Sequence, residues 1–126
     1  MALRELVDQE HECGWLLECV DGCSTLDREI FFLLLDVDGK RTVDEIAGLV
    51  DRERSTTYRS LRRLEEQGYL EKEQRTYDSG GFCYRYGTAQ PDVIFEHLEA
   101  TITDCQRQLD TLLAEFRRVY CDPPEA

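Results

Sequence analysis

Apolar residues recur along this chain at several different spacings, and each spacing predicts an element. From Leu3 to Val20 apolar and polar residues mix (Leu3, Leu6, Val7, Trp15, Leu16, Leu17), which predicts weakly helical segments ending at the Asp21-Gly22 break. Ile30 to Leu35 is a continuous apolar run inside a helix over about 25–36. Ser24 or Thr25 caps that helix, and Asp27 and Glu29 occupy its first turn, where the helix dipole favours acids. Asp36 to Lys40 is a turn. Thr42-Val43-Asp44-Glu45 is a capping box, after which Ile46, Ala47, Leu49 and Val50 mark a short helix over about 43–50. Asp51 to Arg54 connects it to a further helix that starts at Ser55 or Arg54 and runs to Gln67. Gly68 stands where a left-handed residue ends such a helix. Tyr69 to Tyr77 and the alternating Phe82, Tyr84 and Tyr86 read as two strands joined by the Asp78-Ser79-Gly80-Gly81 turn. Pro91 opens a long helix to about residue 120, and Pro123-Pro124 ends it.

Three helices followed by a β-hairpin is the order of a winged helix-turn-helix. The expected fold is mainly α with a small β-hairpin, plus a long C-terminal dimerisation helix. Three segments follow: an N-terminal, cysteine-containing extension over 1–23, a DNA-binding domain over 24–88, and a coiled-coil-like helix over 89–126. In this fold the helix over about 55–67 enters the major groove and the hairpin, the wing, reaches neighbouring phosphates. At 100° per residue its Thr57, Leu61 and Leu64 fall on one face, with Tyr58 at the margin. Ser55, Thr56, Arg59 and Arg63 fall on the other, with Arg62 nearer the side. An Arg and hydroxyl row can chelate guanine edges and bind phosphates. The expected DNA contacts are Arg52, Arg54, Ser55, Thr56, Arg59, Ser60, Arg62 and Arg63 from this region, with Lys72, Arg75 and Arg85 from the wing. The plain alternative is a solvated face paired with local acids such as Glu65 and Glu66.

Charge complicates this picture. Net charge is −12, which by itself argues against a nucleic-acid partner. Yet the 15 basic residues include only two lysines, Lys40 and Lys72, and an acid-rich, Lys-poor composition suits a high-salt solvent that screens self-repulsion. Local charge is then the better guide. Residues 40–85 balance at +1 and the remainder at −13, and residues 52–63 hold five Arg against one Glu.

Leu26-Asp27-Arg28-Glu29-Ile30, Thr42 to Ala47 and Arg52 to Leu64 together resemble the winged-helix domain of archaeal TrmB-type regulators, which are related to MarR-like regulators. The resemblance covers residues 24–88 and is most specific from Arg54-Ser55-Thr56 through Tyr69-Leu70. It implies sequence-specific DNA binding through the recognition helix and the wing. The chain departs from the full-length pattern in lacking a large C-terminal sugar-binding domain, so a sugar effector is not implied. The wing turn and long C-terminal helix look like those of short, single-domain haloarchaeal members.

On the long helix, Phe95, Leu98, Ile102, Cys105, Leu109, Leu112, Phe116 and Val119 are spaced alternately by three and four residues, a coiled-coil seam. The expected partners are double-stranded DNA and a second copy of the chain. The alternative for the seam is packing against residues 3–20. Six cysteines are many for a chain read as cytoplasmic, with no secretory signal and no apolar run long enough for a membrane. Cys13, Cys19 and Cys23 are spaced C-x5-C-x3-C, unlike the C-x2-C of structural zinc, so neither metal nor cofactor is expected. Cys23 precedes a helix start that can lower a thiol pKa, which makes it the first candidate for an oxidant-sensing residue. Cys19 is a resolving partner, and Cys105 in the seam could form a symmetric disulfide. The other possibility is six inert, buried thiols. No Gly-rich phosphate loop, nucleophile elbow or HExxH motif appears, so an enzyme is not expected. The competing reading to DNA binding is a winged helix that binds protein.

Overall fold

The computed structural model describes residues 2–122. The Pro123-Pro124 stop predicted for the last helix lies outside these residues. The chain begins with α1 (Leu3–Asp8), a 3-10 turn (Cys13–Trp15) and α2 (Leu16–Asp21). The winged helix follows as α3 (Thr25–Asp36), β1 (Arg41–Thr42), α4 (Val43–Val50), α5 (Arg54–Glu66), β2 (Leu70–Thr76) and β3 (Phe82–Thr88). Then come α6 (Pro91–Phe116) and a π-helical turn (Arg117–Cys121).

Local chemistry explains where these elements start and stop. Ser24 caps α3 in a capping box: its Oγ accepts from the Asp27 amide and the Asp27 carboxylate accepts from the Ser24 amide, each at 3.1 Å. Thr42 and Glu45 do the same for α4, each at 3.2 Å. Gly68, at φ +90°, lets the chain turn back after α5. The Gly68 and Tyr69 amides then donate to the Glu65 and Leu64 carbonyls, closing the last turn of the helix.

Ile30, Phe31 and Leu34 of α3, Val43, Ile46 and Val50 of α4, and Leu61 and Leu64 of α5 converge with Tyr69, Leu70 and Tyr86 on one core. Burying each large apolar side chain here is worth ~1.5–3 kcal/mol. The core also takes in Leu17 and Cys23 before the predicted domain and Ala89 and Ile94 after it. The three expected segments therefore share one apolar interior.

The sheet is antiparallel, ordered β1-β3-β2, with Leu70 opposite Thr88 and Thr76 opposite Phe82 in the wing. β1 adds a strand to the predicted hairpin, pairing Arg41 with Tyr86 and Thr42 with Arg85. At two residues it carries no alternation that a sequence pattern could show. α6 is covered only near its start. Ile94 is buried, Leu98 packs partly against the core and the His97 ring meets the Asp21 carboxylate at 2.7 Å. From Asp104 to Asp122 every residue is exposed. Among the described residues no helix is long and apolar enough to cross a membrane.

Candidate nucleic-acid interface

α5 is held by one face and open on the other. Thr57, Ser60, Leu61 and Leu64 have no exposed surface, whereas Ser55, Tyr58, Arg59, Arg62 and Arg63 are exposed and Thr56 is half-buried. The inward stripe is the one that helical spacing predicts, except for Ser60. Ser60 stands three residues after Thr57 and four before Leu64, so it belongs to the buried row by the same spacing. The expectation that Ser60 contacts DNA is corrected. Its hydroxyl donates to the Asp27 carboxylate inside the protein.

Asp27 is the feature that sequence reasoning missed. It was assigned to a helix first turn, and there it does serve as a cap, but its side chain is also buried. It accepts hydrogen bonds from the Ser24 amide, from Ser60 and from Arg63, whose Nη2 lies 2.8 Å away. Burial alone would push this carboxyl up. The Arg63 and Ser60 hydrogen bonds, the Ser24 amide and the Arg63 charge outweigh it and hold the group below its ordinary range. Arg63 thus ties α5 to α3, leaving its guanidinium only partly available to a ligand.

The remaining cations differ in how they are held. Arg54 pairs with Asp44 at 2.9 Å and Arg62 with Glu66 at 3.0 Å, both on exposed surface. Such pairs are worth ~0–1 kcal/mol, so a phosphate can displace the carboxylate. Arg52 donates to the Val50 and Asp51 carbonyls at the turn before α5. Arg59, exposed in the middle of the outward row, enters none of these pairs. In the wing the three expected cations do not form one row. Successive strand residues face opposite sides, so Lys72 shares a face with Tyr84 and Tyr86, and Arg75 and Arg85 take the other. Lys72 lies over the Tyr84 ring at 4.6 Å and 3.8 Å from Glu65. Arg85 donates to the Lys40 carbonyl at 2.9 Å. Arg75 is exposed.

The thiols are redistributed. Cys23 is buried and donates to the Gln67 side chain at 3.4 Å. Burial first, then the Asp27 and Asp21 charges, push its thiol up to about 11, opposite to the activation expected at a helix start. This burial and these charges count against the oxidant-sensing role expected of Cys23. Cys13, Cys19, Cys105 and Cys121 are exposed. Among the described residues no three His, Cys, Asp or Glu side chains gather as metal ligands.

The seam of α6 stands largely uncovered. Phe95, Ile102, Leu109, Leu112, Phe116 and Val119 are exposed, and Leu113 and Tyr120, outside the predicted seam, are 69% and 71% exposed. Leu98 departs from the expected seam by turning partly into the protein's own core.

Comparison with known proteins agrees with this architecture. Over 102 residues the chain is 28% identical to the uncharacterized protein MJ1082 of Methanocaldococcus jannaschii, covering 81% of this chain and 83% of that one. The fold is similar to that of a possible transcriptional regulator from Methanosarcina mazei (TM-score 0.78, 21% identity, 87% and 92% of the two chains). It is also similar to a MepR variant of S. aureus solved bound to an oligodeoxyribonucleotide (TM-score 0.50, 19% identity, 89% and 80% of the two chains). Residues 17–92, more than half of the chain, match the family described as sugar-specific transcriptional regulator TrmB, so the chain belongs to the TrmB family of winged-helix transcriptional regulators.

Proposed function

We propose that this chain is a homodimeric, sequence-specific regulator that reads double-stranded DNA in the cytoplasm by laying α5 in the major groove. One observation carries the reading. α5 exposes Ser55, Arg59 and Arg62 on the side away from a core that Thr57, Leu61 and Leu64 fix in place. The MepR variant of similar fold was solved on an oligonucleotide, which supports the same use of this fold here. In this reading Arg59 is the base or phosphate contact least committed to the protein itself. Arg52, Arg54, Ser55, Thr56 and Arg62 flank it, Arg63 contributes from its Asp27 anchor, and Arg75 leads the wing contacts ahead of Lys72 and Arg85.

The dimer rests on α6. Its exposed apolar row extends past the body of the protein, and a second copy of the same helix covers it with a matching row. Two recognition helices then address half-sites one DNA turn apart, about 34–36 Å. In this reading a thiol response belongs to the exposed Cys19 and Cys105 ahead of the buried Cys23. Selection from a random duplex pool, at high salt suited to the acidic surface, tests the reading. The expected outcome is convergence on inverted half-sites whose centres lie about 10–10.5 base pairs apart or at a multiple of that. A retained pool no different from the input would overturn it.

A further inference from the structure

α6 leaves the body of the protein as a cantilever. Ile94 is buried and Leu98 packs partly on the core, but from Asp104 onward the described helix is exposed. Its polar attachment is at His97. The ring Nε2 lies 2.7 Å from Oδ2 of Asp21, the last residue of α2. A carboxylate only accepts, so that ring nitrogen is the donor. The same oxygen accepts from the Tyr69 hydroxyl at 2.6 Å. Tyr69 has no exposed surface and stands between α5 and β2. Burial and the Asp21 hydrogen bond push its hydroxyl well above the ordinary range, so it stays a donor. The Tyr69 and His97 rings also meet edge to face at 5.8 Å. Gln67, at the end of α5, donates to the Asp21 carbonyl at 3.0 Å. Asp21 thus holds the end of the recognition helix and the root of α6 at one point.

We propose that Asp21, Tyr69 and His97 form the joint that sets the angle between the DNA-reading domain and α6, and through it the half-site spacing that the regulator accepts. The apolar contacts of Ile94 and Leu98 hold α6 against the core without fixing its direction. The hydrogen bonds at Asp21 are directional and do fix it. From His97 to Phe116 the helix runs about 28 Å. Over that length a tilt of about 7° moves the far end by ~3.4 Å, the rise of one base pair. Slack at the joint is therefore magnified to the scale on which half-sites are read. His97, Asp21 and Tyr69 act here as positioning residues and touch no DNA. The role in spacing rests on the dimeric regulator reading, whereas the joint itself does not.

The test compares the full-length chain with His97→Ala and with His97→Gln, whose side-chain amide keeps a donor for Asp21. The first measurement needs no DNA. Glu71 of β2 and Ala114 of α6, both exposed, are replaced by a ketone-bearing amino acid that carries a nitroxide. Labelled chains are diluted into unlabelled ones, so pulsed electron paramagnetic resonance reads distances within one chain. His97→Ala should broaden that distance distribution by about 3 Å, as a tilt of about 7° implies, and His97→Gln should restore the wild-type width. Equal widths for the wild type and His97→Ala would overturn the joint. The second measurement uses the duplex recovered by selection and the same duplex with one base pair inserted between its half-sites. The wild type should lose about 100-fold in affinity on insertion, as when bivalent contact is lost, and His97→Ala about tenfold or less. Both proteins should bind a single half-site equally. The same insertion penalty in both would overturn the role in spacing. A wild type that binds no half-site would defeat the reading of α5, while the distance distributions still decide the joint.

Discussion

At the scale of single residues, Asp27 and Arg59 have opposite assignments. Asp27 is a buried charge held by Ser24, Ser60 and Arg63, and it ties α5 to α3. Removing Arg63 leaves that charge uncompensated. Arg63→Ala is expected to cost about 2–4 kcal/mol of stability, the upper end being that of a fully buried pair and the lower reflecting the half-exposed guanidinium. Urea unfolding measures this. Loss of DNA binding by that variant would therefore mix folding with recognition, whereas Arg59→Ala does not. Asp27 also sets an acid limit. Its carboxyl titrates near 3.8 when unfolded and lower when folded. Between those values only the unfolded chain takes up the proton, so the contribution is complete above that range and is lost as pH falls through the folded value. Asp27→Asn should thus flatten the fall in urea midpoint as pH drops below about 5. An unchanged slope would mean that the carboxylate is not held as described.

At the scale of elements, the two capping boxes and the long seam decide what forms and what pairs. Thr42→Ala removes the side-chain acceptor at the start of α4 and should lower stability by about 1 kcal/mol, read as a drop in Tm. On α6, Leu112→Asp and Phe116→Asp place charge on the exposed row beyond the body. Sedimentation should show monomers for these variants with the melting of the winged helix itself unchanged, while a persistent dimer would move the pairing surface elsewhere. The same elements show what the amino-acid pattern could reveal. α3, α4, α5 and the wing were legible because caps, period and turn residues agree locally. β1 was not, because its pairing with Arg85 and Tyr86 is made over 40 residues away in the chain. The burial of Ser60 was legible from its spacing, although it stood among the expected DNA contacts. The burial of Asp27 was not legible, since only the arrival of α5, more than 30 residues later, supplies the donors that make a buried carboxylate tolerable. The activation expected at Cys23 meets a related obstacle: a helix start lowers a thiol pKa only where the sulfur stays accessible, and here the core closes over it.

At the scale of the whole molecule, charge is divided between a strongly acidic body and a locally basic segment around α5. With a net charge of −12, self-repulsion should weaken as salt rises, and thermal stability should increase from low to molar salt. DNA binding should move the other way, because each phosphate neutralised by an arginine releases counterions. The most direct measurement combines the two: affinity for one selected duplex, followed against salt concentration, for the wild-type protein and for Arg59→Ala. The wild type should show log affinity falling linearly with log salt. The variant should bind about 1–3 kcal/mol more weakly with a slope shallower by about one per protomer, at unchanged Tm. Equal affinity and equal slope for the two proteins would contradict the placement of α5 on DNA.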